Sequence, residues 1–259
     1  MKKRVVLIIQ ARMGSTRLPG KSMMDLAGAP LVGRILERVK RCKSLDDIVL
    51  AIPDTVQDVP LKILADSYGI KVFAGSENDL VERYYQAALW SQAEIIGRLP
   101  ADNATPEPSE IDRIVDYHLS LGKSGFSSNL SVIDNSEYPD GIGAEMFDFS
   151  LLSGARQRHL DPRQREHVHL NFYDYTTEKP VDSSWCPIGT IKCPVEFRRP
   201  DLVLDVNTLE QYKFMLQLYT DLYKVNPHFH ITDIIRWYDE EYLPRCSKSK
   251  TAHAKAYGA

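Results

Sequence analysis

The 259-residue sequence has few cysteines, no long apolar run and no excess of positive charge. Its four cysteines are scattered without a Cys-x-x-Cys pair, which argues against a disulfide scaffold and favours reduced thiols. The first apolar run, residues 5–9, is too short for a signal-peptide core or a membrane span. A formal charge of −3 gives no general basic field for nucleic acid. We therefore expect a cytoplasmic globular protein that binds neither nucleic acid nor membrane.

Three ligand-binding motifs are also missing. Five residues, not four, separate Gly14 from Gly20, so this segment is not a Walker P-loop, although Gly20-Lys21-Ser22 imitates its end. The sequence contains no Gly-x-Gly-x-x-Gly, which argues against a dinucleotide-dependent dehydrogenase. It contains no Asp-x-Asp triplet, the usual metal motif of nucleotide-sugar glycosyltransferases with a similar sheet, and this disfavours that class.

Strand and helix patterns alternate through the first half of the chain. Residues 5–9 form an apolar strand, and Pro30 opens an amphipathic helix that runs to Val39. Further strands are predicted at 48–52, 71–74, 94–99 and 125–128, and further helices at 61–68, 79–90 and 109–121. This alternation predicts an α/β fold with a Rossmann-like, doubly wound, mostly parallel sheet. Ligands of such sheets bind beyond the carboxyl ends of the strands.

The second half of the chain is less regular. Between about residues 130 and 200 the alternation breaks down into turn-rich and aromatic sequence, which indicates a small inserted subdomain for substrate binding or dimerisation. The pattern resumes with a strand at 202–204 and helices at 209–223 and 231–242. We expect a single domain over residues 1–246 and a disordered tail over 247–259.

A basic loop with small residues follows the first strand. Gly14 and Ser15 allow backbone N–H groups to approach phosphate oxygens, and Arg12, Arg17 and Lys21 offer charge-assisted hydrogen bonds to a triphosphate. The alternative is a solvated basic loop. We favour a phosphate site because three cations with glycines rarely follow an apolar strand by accident.

Residues 8–21, together with residues 26–31, resemble the opening of the cytidylyltransferases that make CMP-sugars. These include the acylneuraminate and 3-deoxy-manno-octulosonate enzymes, and the closest likeness is to the spore-coat-polysaccharide branch. Weaker matches follow in order as far as about residue 220: Gly75-Ser-Glu77, residues 81–85, Ala101-Asp102, Ser128-Asn129, Tyr138-Pro139, residues 165–168 and residues 204–208.

The resemblance implies a nucleotide-diphospho-sugar transferase type of fold and a cytidylyltransferase activity. CTP would be coupled to a sugar, a sugar acid or a small phosphorylated acceptor with release of pyrophosphate. The product would serve surface polysaccharide synthesis, and the enzyme would be a homodimer. Two alternatives stay open: a glycosyltransferase with the same sheet architecture, and a catalytically inactive nucleotide-binding scaffold.

The resemblance also implies site residues. Lys21, Arg12, Asp102 and Asp205 would be catalytic, and the two aspartates would hold Mg²⁺, which prefers one or two carboxylates plus substrate phosphates. Alternatively, Asp102 caps the helix that follows Pro106 or Pro108. The residues expected to contact the nucleotide are Gln10, Ala11, Arg12, Gly14, Ser15, Arg17, Lys21, Arg83, Pro100 and Ala101.

The sequence departs from the family pattern at two places. Pro100-Ala101-Asp102 stands where relatives have Gln-Gly-Asp or Thr-Gly-Asp, which leaves the base preference open. Gly143 stands where the spore-coat branch has an acidic residue, so the acceptor is open as well. The candidates for acceptor contact are Tyr138, Glu145, Glu166 and His167, with Lys192, Arg198 and Arg199 as further candidates if the acceptor is anionic. A zinc site at His167 and His169 is disfavoured because no third ligand has a typical spacing.

Overall fold

The computed structural model describes residues 3–129, 133–158 and 161–245. Its strands are β1 (Val5–Gln10), β2 (Asp47–Pro53), β3 (Lys71–Gly75), β4 (Ile95–Pro100), β5 (Phe126–Ser128), β6 (Glu145–Asp148), β7 (Tyr173–Asp174), β8 (Lys179–Pro180) and β9 (Ile188–Gly189). A seven-stranded sheet has the order β3-β2-β1-β4-β6-β5-β9, and β7 pairs with β8 separately. β6 runs antiparallel to both of its neighbours, while the other pairs in the large sheet are parallel. The predicted mostly parallel sheet is confirmed.

The helices are α1 (Leu31–Val39), α2 (Val59–Ser67), α3 (Leu80–Ser91), α4 (Pro108–Ser120), α5 (Phe149–Gln157), α6 (Pro162–Glu166), α7 (Leu209–Val225) and α8 (Ile231–Trp237), which continues as a π-helical turn over Tyr238–Tyr242. α7 begins with a capping box. Thr208 Oγ1 accepts from the Gln211 N–H (3.3 Å), and Gln211 Oε1 accepts from the Thr208 N–H (3.0 Å). This cap fixes the start of α7 beside the segment that carries Asp205.

The central strand β1 has two apolar faces. Val5, Leu7 and Ile9 pack on the side of α1, α2, α4, α7 and α8, whereas Val6 and Ile8 pack on the side of α3 and α5. All five side chains are fully buried, and each such burial stabilises the fold by about 1.5–3 kcal/mol. Helices therefore cover both sides of the sheet, as expected for a doubly wound fold, and leave its carboxyl edge open for a site.

The elements predicted in the first half are all present, and the largest difference in a boundary is two residues, at the start of α2. The predicted strand at 202–204 is wrong. That segment and the residue after it form only isolated bridges, between Asp140 and Val203 and between Asn103 and Asp205, because neither partner belongs to a strand of the sheet.

The segment predicted as an insertion contributes two strands, β6 and β9, to the main sheet. Among its described residues, the β7–β8 pair forms a separate two-stranded sheet. The domain boundaries stay predictions, and residues 130–132 and the predicted tail at 247–259 lie outside the described residues. Over the described part of the chain, no helix combines the length and the apolar character needed to cross a membrane.

Candidate active site

A cavity of about 450 Å³ opens at the carboxyl ends of β1 and β4. The basic loop, the start of α3 and the turn after β4 form its walls. Every residue predicted to contact the nucleotide lines this cavity except Gly14, which lies in the loop but away from the wall. Four residues that the sequence did not predict also line it: Glu77, Asn78, Arg98 and Asn207.

Backbone hydrogen bonds fix the shape of the basic loop. The Met13 N–H donates to Asp58 Oδ1 (2.7 Å), and the Gly20 N–H donates to the Met13 carbonyl oxygen (3.2 Å). Gly20 has a φ of 70°, a left-handed conformation that favours glycine. The loop is thus folded back on itself and holds its cationic side chains on the cavity wall.

Lys21 connects the loop to two distant segments. Its Nζ donates to Asp102 Oδ2 (3.0 Å), to the Val206 carbonyl oxygen (2.7 Å) and to Asn207 Oδ1 (3.2 Å). Arg17 also donates to Asn207 Oδ1, over 2.8 Å. Two cations of the loop therefore converge on the segment that carries Asp205.

Asp102 and Asp205 lie side by side, as predicted, although the segment before Asp205 is not a strand. Asn103 and Asp205 form an isolated antiparallel bridge, and the Val206 N–H donates to the Asp102 carbonyl oxygen (2.9 Å). The alternative role of Asp102 as a helix cap is wrong, since α4 begins at Pro108 with Glu107 in the capping position. The side chain of Asp102 is instead bound to Lys21.

A second cavity of about 190 Å³ adjoins these aspartates and is strongly acidic. Asp102, Asp140, Asp205 and Glu145 all line it. Burial raises the pKa of Asp205, and the nearby charges of Asp140 and Asp102 raise it further. Burial and Asp102 likewise raise the pKa of Asp140. Three carboxylates therefore repel one another here, which is the electrostatic setting that a bound cation relieves.

Asp140 was not predicted as a site residue because Pro-Asp-Gly is typical of a turn. Within residues 3–129, 133–158 and 161–245, no three His, Cys, Asp or Glu side chains are grouped closely enough for the protein alone to hold a metal ion. A metal at this place would need oxygen ligands from a substrate as well.

Arg83 is a buried cation on the wall of the first cavity. Its side chain is 4% exposed, and Nη1 donates to the Ser76 carbonyl oxygen (3.0 Å). Its Nε is buried and has no acceptor in the described structure. Burial lowers the pKa of Arg83 to about 10. A buried arginine whose N–H lacks an acceptor suits an anionic ligand.

Arg12 is more exposed than Arg83, and its Nη2 lies 3.5 Å from Glu166 Oε1.

Arg98 belongs to a buried network beneath the two cavities. Its Nε donates to Gln10 Oε1 (3.1 Å), and its Nη1 donates to Glu145 Oε2 (2.7 Å). The Tyr84 hydroxyl lies 3.1 Å from Gln10 Oε1, and the Tyr175 hydroxyl donates to Glu145 Oε1 (2.8 Å). Burial opposes the charge of Arg98, but Glu145 outweighs it and keeps the guanidinium pKa above its usual value. In the sequence, the one feature that could have pointed to Arg98 as a site residue is a lone arginine within an apolar strand.

The four candidates for acceptor contact are distributed unevenly. Glu145 lines the second cavity, whereas Glu166 and His167 line the first. The prediction for Tyr138 is wrong: its side chain is fully buried, and its hydroxyl donates to Glu110 Oε2 on α4 (2.6 Å). Sequence alone could not show that the ring points into the core, away from both cavities.

The structure gives a steric reason for the glycine at position 143. A Cβ atom there would lie 2.0 Å from Asn129 Oδ1. Asn129 cannot move easily, because Oδ1 accepts from the Ala144 N–H (3.1 Å) and Nδ2 donates to the Glu110 carbonyl oxygen (3.3 Å). Position 143 therefore has no room for an acidic side chain, and Asp140 supplies a carboxylate to the cavity instead.

The cations considered for an anionic acceptor lie elsewhere. Lys192, Arg198 and Arg199 line neither cavity. Arg198 pairs with Glu137 (3.1 Å), and Arg199 pairs with Asp201 (3.1 Å). Neither cavity therefore supports an acceptor role for these cations, and Arg198 and Arg199 already pair with carboxylates on the surface.

A doubly wound, mostly parallel sheet with a basic loop and clustered aspartates at its carboxyl edge defines an α/β nucleotidyltransferase. A family model for cytidylyltransferases matches residues 6–185. The chain therefore belongs to the cytidylyltransferase family and is a nucleotidyltransferase enzyme.

Individual relatives agree with this assignment. The spore coat polysaccharide biosynthesis protein SpsF of Bacillus subtilis is 31% identical, over 83% of this chain and 86% of that protein. A 3-deoxy-manno-octulosonate cytidylyltransferase of Anaeromyxobacter sp. strain K is 33% identical, over 44% of this chain and 46% of that protein. A solved cytidylyltransferase structure from Leptospira borgpetersenii has a TM-score of 0.82 at 28% identity, covering 93% of this chain and 96% of that chain.

Proposed function

We propose that this enzyme couples CTP to a hydroxyl group of a sugar or sugar acid and produces a CMP-sugar for surface polysaccharide synthesis. The observation that carries the proposal is the pair of adjoining cavities, one lined by cations and one by carboxylates, which share Arg98, Pro100 and Asp102. Two relatives are named for spore coat polysaccharide synthesis and for transfer to 3-deoxy-manno-octulosonate. A hydroxyl is favoured over a phosphate as the attacking group because four carboxylates line the second cavity and would repel a phosphate: Asp102, Asp140, Glu145 and Asp205.

In this proposal the first cavity binds the nucleotide. Arg12, Arg17 and Lys21 bind the triphosphate together with Ser15, and Arg83 supplies a further buried cation. The nucleoside lies against the remaining predicted residues, which are Gln10, Ala11, Pro100 and Ala101. Glu145 lines the acceptor cavity, while Glu166 and His167 lie where the bound nucleotide would contact them.

We also propose that Asp102 and Asp205 hold Mg²⁺. The donor set fits this ion, because both are carboxylates and Mg²⁺ binds one or two carboxylates plus substrate phosphates. The mutual repulsion that raises the pKa of Asp205 would be relieved by a cation. When bound, the ion would offset the charge on the phosphates. Asp205 is already oriented by Gln211, whose Nε2 donates to Asp205 Oδ1 (3.0 Å).

The proposed reaction is a single displacement. The acceptor oxygen forms a bond to the α-phosphorus of CTP, and the bond from that phosphorus to the bridging oxygen of the β-phosphate breaks. The electron pair leaves with pyrophosphate, and the hydroxyl proton is released to solvent. The protein's part is to position the two substrates and to stabilise charge on the phosphates.

Thermal unfolding with Mg²⁺ and each of CTP, UTP, ATP, GTP and dTTP tests the donor without knowledge of the acceptor. Ligand at ~100 times its dissociation constant adds ~2.7 kcal/mol, so CTP should raise the midpoint by several degrees. The shift should vanish in Asp205→Ala and persist in Asp201→Ala, a matched control at the surface. An equal shift with every nucleotide, or none with CTP, would contradict the assignment.

Two further predictions need separate measurements. The homodimer is expected only from the family resemblance, and light scattering coupled to size-exclusion chromatography checks it. The cytoplasmic location is checked by fractionation of cells that express the tagged protein.

A further inference from the structure

Arg98 donates side-chain hydrogen bonds to residues on both neighbouring strands of the sheet. It lies on β4 with a side chain 5% exposed, between Gln10 on β1 and Glu145 on β6. These neighbours bind its Nε (3.1 Å) and its Nη1 (2.7 Å), and Tyr175 holds Glu145 from the other side (2.8 Å). A planar guanidinium fixed at two of its three nitrogens has a defined orientation.

The third nitrogen, Nη2, is the one that the protein leaves available. Over the part of the chain that the structure describes, Nη2 has no protein acceptor. It is also absent from the set of buried side-chain atoms that lack a partner, so Nη2 itself is not fully buried. Arg98 lines both cavities, so Nη2 has donors to offer to a bound molecule. The Glu145 carboxylate balances the charge of the buried guanidinium when the cavities hold no substrate.

The chemistry of the reaction locates the group that Arg98 would meet. This step rests on the proposed function, in which the first cavity holds CTP and the second holds the acceptor. The phosphorus that is attacked must be reached from both cavities, and therefore lies at their shared wall. That wall consists of Arg98, Pro100 and Asp102, of which Arg98 is the cation.

We propose that Arg98 donates from Nη2 to a non-bridging oxygen of the α-phosphate of the bound cytidine nucleotide. Gln10 and Glu145 act as positioning residues that aim the guanidinium. Arg98 would thus have a different role from the cations of the basic loop, which bind the β- and γ-phosphates that leave as pyrophosphate. It also explains why a permanently charged side chain lies inside an apolar strand, where burial is otherwise costly.

Calorimetry with a ladder of ligands tests this contact without an acceptor. The probes are cytidine, CMP, CDP, CTP and inorganic pyrophosphate, with weak ligands measured by displacement of CTP. Because Arg98→Met alone would strand a buried carboxylate, the comparison is made between Glu145→Gln and the double variant Arg98→Met/Glu145→Gln. Glu145→Gln keeps one oxygen that can accept from Arg98, and its amide N–H can donate to the Tyr175 hydroxyl. Circular dichroism verifies that both variants are folded.

Loss of Arg98 should weaken CMP, CDP and CTP by a common factor of about 10 or more, the usual effect of one charge-assisted hydrogen bond. Cytidine and pyrophosphate should bind as before. Equal weakening of cytidine would show that Arg98 only supports Gln10, and would overturn the proposal. Weakening of pyrophosphate with unchanged CMP, or no change in any ligand, would overturn it too. Failure of the unsubstituted protein to bind any cytidine nucleotide would instead refute the donor site itself, and with it the role of Arg98.

Discussion

Buried carboxylates at the two edges of the central sheet have opposite surroundings: at one edge they have cationic and N–H partners, and at the other they lie beside further carboxylates. At the amino edge of the parallel strands, Asp148 lies beside Ile95 at the start of β4, and Lys3 Nζ binds its Oδ1 (2.7 Å). His118 Nε2 lies 3.3 Å from its Oδ2, and the Gly125 N–H donates to the same oxygen (3.1 Å). At the carboxyl edge, Asp140 lines a cavity together with other aspartates.

The pKa values of these aspartates shift in opposite directions because their partners differ. Burial opposes ionisation of Asp148, but the hydrogen bonds from His118 and Lys3 outweigh it and hold the pKa below its usual value. Burial and a neighbouring aspartate raise the pKa of Asp140 and of Asp205. Partners stabilise the buried carboxylate at the amino edge, whereas the carboxyl edge keeps like charges together at a cost to stability, as functional sites commonly do.

Lys21→Met should produce the largest effect, because Lys21 is the cation that binds Asp102 and faces the proposed triphosphate site. We expect turnover to fall by at least about 100-fold, the usual loss when a group that stabilises charge in the transition state is removed. Turnover is measured as pyrophosphate release with an acceptor that the unsubstituted enzyme accepts, and CTP affinity by calorimetry.

The matched control is Lys71→Met at the other edge of the sheet. Lys71 is exposed and pairs with Asp47 at the amino edge, so its loss should leave turnover and CTP affinity unchanged. Wild-type turnover in Lys21→Met, or equal losses in the two variants, would remove Lys21 from the catalytic machinery.

At the carboxyl edge, some site residues could be predicted from the sequence and others could not. Lys21 was predicted from a local pattern, a strand followed by a basic loop with small residues, and such patterns fix which end of a strand a residue occupies. The role of Asp102 was predicted from the family resemblance. Arg98, Asp140 and Tyr138 were missed or misassigned. Their roles depend on which side of a strand or turn faces a cavity, and that is decided by packing against β6, α4 and the segment after residue 200.

Asp148→Asn should lower the free energy of unfolding at pH 7 by about 1–3 kcal/mol, because a neutral amide replaces a buried carboxylate that binds Lys3 and lies beside His118. A carboxylate with a depressed folded-state pKa stabilises fully above its unfolded pKa of about 4, and this is lost as the pH falls through the lower folded value. The gap between wild type and variant in urea unfolding should therefore shrink between pH 7 and pH 3. A gap that stays constant, or that also appears in the exposed control Asp66→Asn, would contradict the electrostatic origin.

Asp140→Asn should have the smallest effect and the opposite sign. Its folded-state pKa is raised, so the ionised carboxylate disfavours folding at pH 7, and this penalty disappears as the pH falls below the unfolded value of about 4. Without Mg²⁺ or nucleotide, the variant should be more stable than wild type at pH 7 by at most about 1 kcal/mol, as for a partly screened charge pair. The two should converge near pH 3 in urea unfolding. If Asp140→Asn destabilises the protein at pH 7, the carboxylates of the two edges do not differ in the way proposed. The Asp140 carboxylate would then stabilise the fold, and there would be no repulsion at Asp140 for a bound cation to relieve.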